Sequence, residues 1–163
     1  MKLLLTCEHG GNTVPRSYKA LFADAEDVLA GHRGWDPGAM GLFRGLVPLA
    51  DATHQATVTR LLVELNRSAH HRALFSRFTK GLSKVEREHI LERYYTPYRS
   101  AVEHDVARWA AKRIPVHHVA VHSFTPVLNG EVRTLDIGLL YDPSRKPEKQ
   151  WAERWRSALL EQD

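Results

Sequence analysis

The 163-residue sequence contains a single cysteine, Cys7. One thiol excludes an internal disulfide framework and also excludes a zinc site built from cysteine ligands. His9 follows two positions later, but that spacing alone does not place the two side chains in hydrogen-bond geometry. We therefore expect Cys7 to be a buried, unreactive thiol rather than a nucleophile.

Long apolar segments are also missing. No run approaches the ~20 residues that a helix needs to span a bilayer. The N-terminal stretch, Met1–Leu5, carries one basic residue and is followed closely by Glu8, so it lacks the long apolar region and cleavage site of a signal peptide. These absences predict a protein of the reducing cytoplasm with no membrane partner.

Blocks of like charge are absent as well. The 23 basic residues are spread along the chain and face 19 acidic residues, for a net charge of +4. This pattern argues against nucleic-acid binding and suits the attraction of a small anionic substrate. The ten histidines are the unusual number, since histidine is the commonest metal ligand and titrates near neutral pH.

Composition and length otherwise describe an ordinary globular protein. Hydrophobic residues make up 43% of the chain and charged residues 26%, which excludes fibrous and disordered classes. The length predicts one domain over residues 1–163. Predicted strands and helices alternate along the chain, and this alternation indicates an α/β fold.

Four segments are predicted as strands. Apolar or β-prone runs bounded by turn residues occur at Lys2–Cys7, at Val116–Val121 and at Asp136–Tyr141. The region Thr53–Glu64 contains two such runs, which suit two strands or one bent strand.

The longest helical signal begins with a capping box formed by Ser83 and Glu86. Pro97 lies inside the helix that follows and should kink or split it near Thr96. We interpret the apolar and aromatic stripe of this helix as core, at Ile90, Leu91, Tyr94, Tyr95, Tyr98, Val102, Val106 and Trp109.

Two further helices are predicted. Ala39–Leu49 has apolar residues on one face. A C-terminal helix has Pro147 in its first turn, with apolar side chains at spacing four: Trp151, Trp155 and Leu159.

Polar pairs follow the predicted strands at three places: Glu8 and His9, Asn66 and Arg67, and His122 and Ser123. In open α/β sheets, ligands bind beyond the carboxyl ends of the strands. If the strands are parallel neighbours, we expect the three pairs to converge.

A catalytic zinc ion takes three protein ligands and keeps one position open for water. His9 and His122 are the candidate imidazole ligands, and the third ligand is either Glu8 or Asp36. Neighbours in an extended strand point to opposite faces, so Glu8 and His9 can share an ion only if the glycine turn bends the chain. Asp36 lies in its own loop and meets no such obstacle.

Each of these residues also has a simpler interpretation. A histidine at a strand end is usually a structural residue, Arg67 commonly forms a salt bridge, and Asn66 can hold a turn. The pair Gly10–Gly11 is not followed by the lysine and hydroxyl residue of a P-loop, so that motif is excluded.

Five sequence blocks occur in order along nearly the whole chain. They are TCEHGGNTVP at Thr6–Pro15, WDPGA at Trp35–Ala39, RLLVELNRS at Arg60–Ser68, VHSFTP at Val121–Pro126 and the segment Arg133–Pro143 with DIGLLYDP. Together these blocks resemble the N-formylglutamate amidohydrolase family.

The resemblance implies a three-layer α/β/α fold, similar to zinc-dependent exopeptidases, with a mixed and mostly parallel sheet. It implies one zinc ion bound by His9, His122 and a carboxylate, for which Asp36 is favoured over Glu8. Asn66 and Arg67 match a motif that holds a substrate carboxylate, and a guanidinium can do so with two parallel hydrogen bonds. Further substrate contacts are then Arg133 and Ser123.

The implied reaction is hydrolysis of the amide of N-formylglutamate or a related N-acyl amino acid, with a role in histidine degradation. Family members are longer, and their additional segment carries a glutamate that resembles the general base of the peptidases. We therefore expect this chain to be a shortened relative or a fragment, with Glu8 or Asp136 as the substitute base. The alternative is a family member that binds a metal or carboxylate without turnover.

Overall fold

The computed structural model describes residues 1–128 and 130–162. The chain forms two compact units, Met1–Phe124 and Thr125–Asp163. The prediction of a single domain over residues 1–163 stays a prediction.

The first unit is built on a three-stranded parallel sheet. Its strands are β1 (Lys2–Cys7), β2 (Ala52–Gln55) and β3 (Val116–Ala120), in the order β2-β1-β3. Leu5 of the central strand lies opposite Thr53 on one side and Val119 on the other. The chain thus passes to one side of β1 and then to the other, which creates a switch point at the carboxyl ends of the strands.

Successive side chains of β1 point to opposite faces of this sheet. Because apolar side chains lie on both faces, helices cover both of them. Leu5 and Cys7 pack against α2 (Ala39–Leu46) through Met40 and Phe43. Leu4 packs on the other face against α4 (Thr96–Ala110), where it meets Val102 and Trp109. The α/β class is therefore confirmed, and the first unit has α/β/α layering.

The region between β1 and α2 is mostly short turns. It contains a 3-10 helix at Arg16–Phe22 and the one-turn helix α1 (Glu26–Ala30), and a second 3-10 turn follows α2 at Val47–Leu49. The helix predicted over Ala39–Leu49 is thus divided into an α-helix and a tighter final turn.

The long helix is interrupted as its proline predicts. Ser83 and Glu86 form both bonds of the capping box at the start of α3 (Lys84–Ile90). A π-helical turn, Leu91–Tyr95, then separates α3 from α4, and Pro97 occupies the first turn of α4. Proline is tolerated there because the first helical N–H groups have no intrahelical acceptor.

The prediction of two strands or one bent strand within Thr53–Glu64 is wrong beyond Gln55, where the described backbone forms only an isolated parallel bridge between Val58 and Thr13. The backbone of this segment leaves the sheet and pairs with the glycine loop after β1, where Ala56 and Thr57 accept hydrogen bonds from Gly10 and Thr13. The apolar residues of this segment are buried in a separate cluster instead. Leu62 and Val63 belong to it, together with Tyr18, Phe22, Leu74 and Ile90.

The strand predicted at Asp136–Tyr141 is also wrong. Ile137 is 62% exposed and Leu140 is 96% exposed, and residues 136–141 form no strand. β-propensity describes how a residue fits a half-buried sheet surface, and it cannot supply the neighbouring strand that backbone pairing requires.

The second unit contains a short antiparallel hairpin of β4 (Val127–Leu128) and β5 (Glu131–Val132), and the helix α5 (Lys146–Leu160). Pro147 lies in the first turn of α5, as predicted, and the rings of Trp151 and Trp155 are 5.0 Å apart. Among the helices of the described residues, none has the length and apolarity needed to cross a bilayer. The cytoplasmic location stays a prediction.

Candidate metal centre

The turn after β1 places His9 in the interior. His9 is 1% exposed, and its carbonyl oxygen accepts a hydrogen bond from the backbone N–H of Asp36. A Cβ added to Gly10 would meet the terminal methyl group of Met40, a flexible side chain that can move aside. One added to Gly11 would lie 2.7 Å from the carbonyl oxygen of Thr57, so Gly11 is the residue that the close packing of this turn requires.

His9, Asp36 and His122 come together at the switch point. One potential ligand atom from each side chain lies within 4.8 Å of the other two. Oδ2 of Asp36 is 3.4 Å from Nδ1 of His9 and 2.8 Å from Nδ1 of His122. The expected convergence of the turns after β1 and β3 is thus present, although these residues are separated widely in the sequence.

This cluster fits a zinc ion. Two donors on one tetrahedral zinc ion are about 3.4 Å apart, given metal–ligand bonds of ~2.0–2.1 Å. The separation of His9 from Asp36 matches that spacing. Nδ1 of His9 is buried and has no hydrogen-bond partner among the described residues, so its lone pair is available to a cation.

Glu64 and Arg60 form a second layer behind the cluster. Oε1 of Glu64 lies 2.5 Å from Nε2 of His9, and Oε2 of Glu64 accepts two hydrogen bonds from the guanidinium of Arg60. Arg60 also reaches Oδ1 of Asp36 at 3.4 Å. Glu64 thereby directs the Nε2–H of His9 away from the cluster and leaves Nδ1 facing it.

The electrostatics of the cluster favour ionised carboxylates. Burial raises the pKa of Asp36, but the hydrogen bond from His122 and the nearby imidazole of His9 outweigh it and hold this pKa well below its usual range. Burial likewise opposes ionisation of Glu64, whereas His9 and Arg60 bring its pKa down to about 2. Burial lowers the pKa of His9, but the nearby carboxylates of Asp36 and Glu64 more than offset this and raise it. The two carboxylates thus give the cluster negative charge. This charge can be balanced by protonation of His9 or, in its place, by a bound cation.

Glu8 stands next to the cluster with its two oxygens in different environments. Oε1 accepts a hydrogen bond of 2.9 Å from the hydroxyl of Tyr98. Oε2 is buried without a hydrogen-bond partner among the described residues and lies 3.6 Å from Nε2 of His122. The carboxylate therefore presents one free oxygen toward the histidine.

The asparagine–arginine pair lies at the exposed side of the cluster. Nδ2 of Asn66 is 3.4 Å from Nε2 of His122. Arg67 is exposed, and its backbone carbonyl accepts a hydrogen bond of 2.7 Å from the hydroxyl of Tyr95. Since the His122 side chain is itself 32% exposed, a small solute can reach this side of the cluster.

Ser123 contacts the cluster through its backbone, because its N–H lies 3.4 Å from Oδ2 of Asp36. Its hydroxyl is buried and has no hydrogen-bond partner in the described part of the chain. Arg133 and Asp136 belong to the second unit and are exposed there. Their predicted roles in substrate binding and catalysis stay predictions.

Sequence reasoning missed Glu64, Arg60 and Tyr98. Glu64 had a usable signal, because a lone acidic residue between Val63 and Leu65 is expected to be buried and therefore to need a partner. Tyr98 gave no such signal, since its spacing fits a core stripe and its acceptor lies 90 residues away.

The fold and the site together define an α/β protein with a histidine–carboxylate cluster, able to hold a metal ion, at the carboxyl edge of its sheet. A protein-family model, N-formylglutamate amidohydrolase, matches residues 1–163. The chain belongs to the N-formylglutamate amidohydrolase family.

A solved structure is similar as well. It is the crystal structure of a gene product from Agrobacterium tumefaciens, with a TM-score of 0.76 and 32% sequence identity. The match covers 87% of this chain and 60% of that chain, so the present chain spans about 60% of the length of its structural relative. A search of curated proteins gives no significant match.

Proposed function

We propose that this chain hydrolyses the amide bond of N-formylglutamate or a related anionic N-acyl amino acid, with one zinc ion held by His9, Asp36 and His122. The observation that carries the proposal is the convergence of these three side chains within 4.8 Å. Membership of the amidohydrolase family supports the reaction class.

Held by His9, Asp36 and His122, a zinc ion would lower the pKa of a water molecule at the site and would polarise the scissile carbonyl group. The surrounding residues prepare the site for it. Glu64 holds the ring of His9 so that Nδ1 faces the cluster, and the backbone N–H of Ser123 lies against the ligand oxygen of Asp36. Such outer contacts fix the orientation of the ligands.

Glu8 is the general base in this proposal. Its free oxygen is buried beside His122, which is the position from which a carboxylate can take a proton from the attacking water and return it to the leaving amine. Asp136 is the other candidate base from the sequence, and Glu8 has the geometric support.

Arg67 and Asn66 are proposed to hold the carboxylate of the substrate, because Asn66 lies 3.4 Å from His122 and Arg67 follows it in the exposed turn. Arg67 is exposed and its contact with Tyr95 uses the backbone carbonyl, so the guanidinium is accessible to an anion. Ser123 is proposed as a further substrate contact, and the role predicted for Arg133 from the sequence stays a prediction.

The test combines metal analysis with product detection. We expect about one zinc ion per chain after purification, formate release from N-formylglutamate, and loss of both in His122→Ala. His104→Ala removes an exposed histidine of α4 and should change neither. Bound zinc without formate release would favour a family member that binds its ligand without turnover, and absence of bound zinc in the unchanged protein would refute the zinc proposal.

A further inference from the structure

Tyr98 connects the helix junction to the candidate base. It lies in the first turn of α4, directly after the π-helical turn, and its ring packs against two of the apolar clusters. Its hydroxyl group nevertheless forms a hydrogen bond with Oε1 of Glu8 at 2.9 Å. π-helical turns shift the register of the residues that follow them and recur at functional sites.

The two oxygens of Glu8 are made unequal by this bond. Glu8 is 5% exposed, so water cannot freely replace a missing partner. Oε1 has Tyr98 as its donor, while Oε2 has no hydrogen-bond partner in the described part of the chain and faces His122 at 3.6 Å. A carboxylate held at one oxygen cannot rotate about its terminal bond without losing that hydrogen bond.

The direction of the bond is fixed by the surroundings. Burial and the nearby Glu8 carboxylate raise the pKa of Tyr98, so its hydroxyl keeps the proton and acts as the donor. Oε1 of Glu8 is the acceptor, at 2.9 Å from the hydroxyl oxygen.

We propose that Tyr98 is a positioning residue, which holds Oε1 of Glu8 and thereby directs Oε2 at the cluster of His9, Asp36 and His122. The inference rests on the proposed function, because Glu8 receives its role as base there. Tyr98 acts through Glu8 in this proposal, since its hydroxyl donates to that carboxylate.

Tyr98→Phe removes the donor and preserves the packing of the ring. Tyr94→Phe is the matched control, because Tyr94 lies one turn earlier and packs on Tyr18 without a hydrogen bond to a residue of the centre. We expect Tyr98→Phe to lower kcat roughly tenfold to a hundredfold, as small misplacements of catalytic groups do, with little change in KM or zinc content. Tyr94→Phe should leave kcat unchanged.

A second readout does not depend on turnover. Cobalt(II) in place of zinc gives visible absorption bands that respond to the groups around the ion. Tyr98→Phe should alter these bands at unchanged cobalt content, and Tyr94→Phe should not. In a Glu8→Ala background, Tyr98→Phe should have no further effect on either kcat or the bands, since coupled residues are not additive.

The inference is overturned if Tyr98→Phe matches the unchanged protein in kcat and in the cobalt spectrum, or if its effect persists in full after Glu8→Ala. Those outcomes leave the proposed function intact when the unchanged protein binds zinc and releases formate. If the unchanged protein binds neither zinc nor cobalt, the proposed function fails and the inference fails with it.

Discussion

Glu64 lies 2.5 Å from His9, and the two residues are joined through Nε2 of the imidazole. Both side chains are nearly inaccessible, with 1% exposure for His9 and 11% for Glu64. Because Glu64 is also bound by Arg60 at 2.6 Å, its carboxylate cannot turn away from the ring. The result is an imidazole whose second nitrogen faces Asp36 and His122.

Glu64→Gln should weaken zinc binding. The amide keeps the shape of the side chain but loses the charge that orients His9 and pairs with Arg60, and loss of such outer partners typically costs about 10–100-fold in metal affinity. Competition with a chelator measures this change. Glu88→Gln, on the exposed face of α3, serves as the control, and equal zinc affinities in the two variants would contradict the role of Glu64.

The sequence predicts the centre of this fold better than its periphery. The buried run at Lys2–Cys7 and the run ending at Val121 are adjacent parallel strands, so the polar residues after them meet as expected. The local signal is strongest at Lys2–Cys7, where four of the six residues are buried, because strands buried on both faces form nearly continuous apolar runs.

Other parts depend on partners that no local pattern reveals. The segment after Gln55 has strand-like composition but pairs with the glycine loop, and this pairing places Glu64 behind His9. Tyr98 was interpreted as core, and its ring is packed there, but its hydroxyl serves a carboxylate that is distant in the sequence. A propensity describes one residue and its neighbours, whereas these bonds are set by tertiary contacts.

Arg67→Lys should weaken substrate binding and leave the zinc content unchanged. Lysine keeps the positive charge but cannot form the two parallel hydrogen bonds of a guanidinium with a carboxylate. Loss of one charge-assisted bond, ~1.5–3 kcal/mol, corresponds to a rise in KM of roughly 10–100-fold.

Steady-state kinetics with N-formylglutamate measure the effect of Arg67→Lys. Arg72→Lys provides a control at an exposed arginine of the same region. If Arg67→Lys loses its zinc instead, Arg67 is a structural residue of the centre.

Cys7 should resist thiol reagents while the protein is folded. Its side chain is fully buried, and burial together with the charges of Glu8 and Asp36 raises its pKa to about 11. The thiolate is the reactive form, and it is scarce at pH 8. A chromogenic disulfide reagent should therefore titrate one thiol per chain in denaturant and react far more slowly with the native protein. Rapid native labelling would show that the face of β1 packed on α2 is open.

Gly11→Ala should destabilise the first unit, whereas Gly41→Ala should not. An added Cβ at Gly11 would lie 2.7 Å from a backbone oxygen and 3.0 Å from Cα of Thr57, neither of which can yield without moving the loop. Overpacking of this kind costs typically ~1–3 kcal/mol. Gly41 lies inside α2 with no atom within 4 Å of the added Cβ, so alanine there should stabilise the protein by up to ~1 kcal/mol through helix propensity.

Thermal unfolding of the two glycine variants measures both effects. The loop that Gly11 packs also carries His9, so Gly11→Ala should weaken zinc binding as well, and Gly41→Ala should retain full affinity. Equal melting temperatures for the two variants would mean that the loop after β2 moves aside at little cost. In that case the close approach at Gly11 would not be what holds the His9 turn in place.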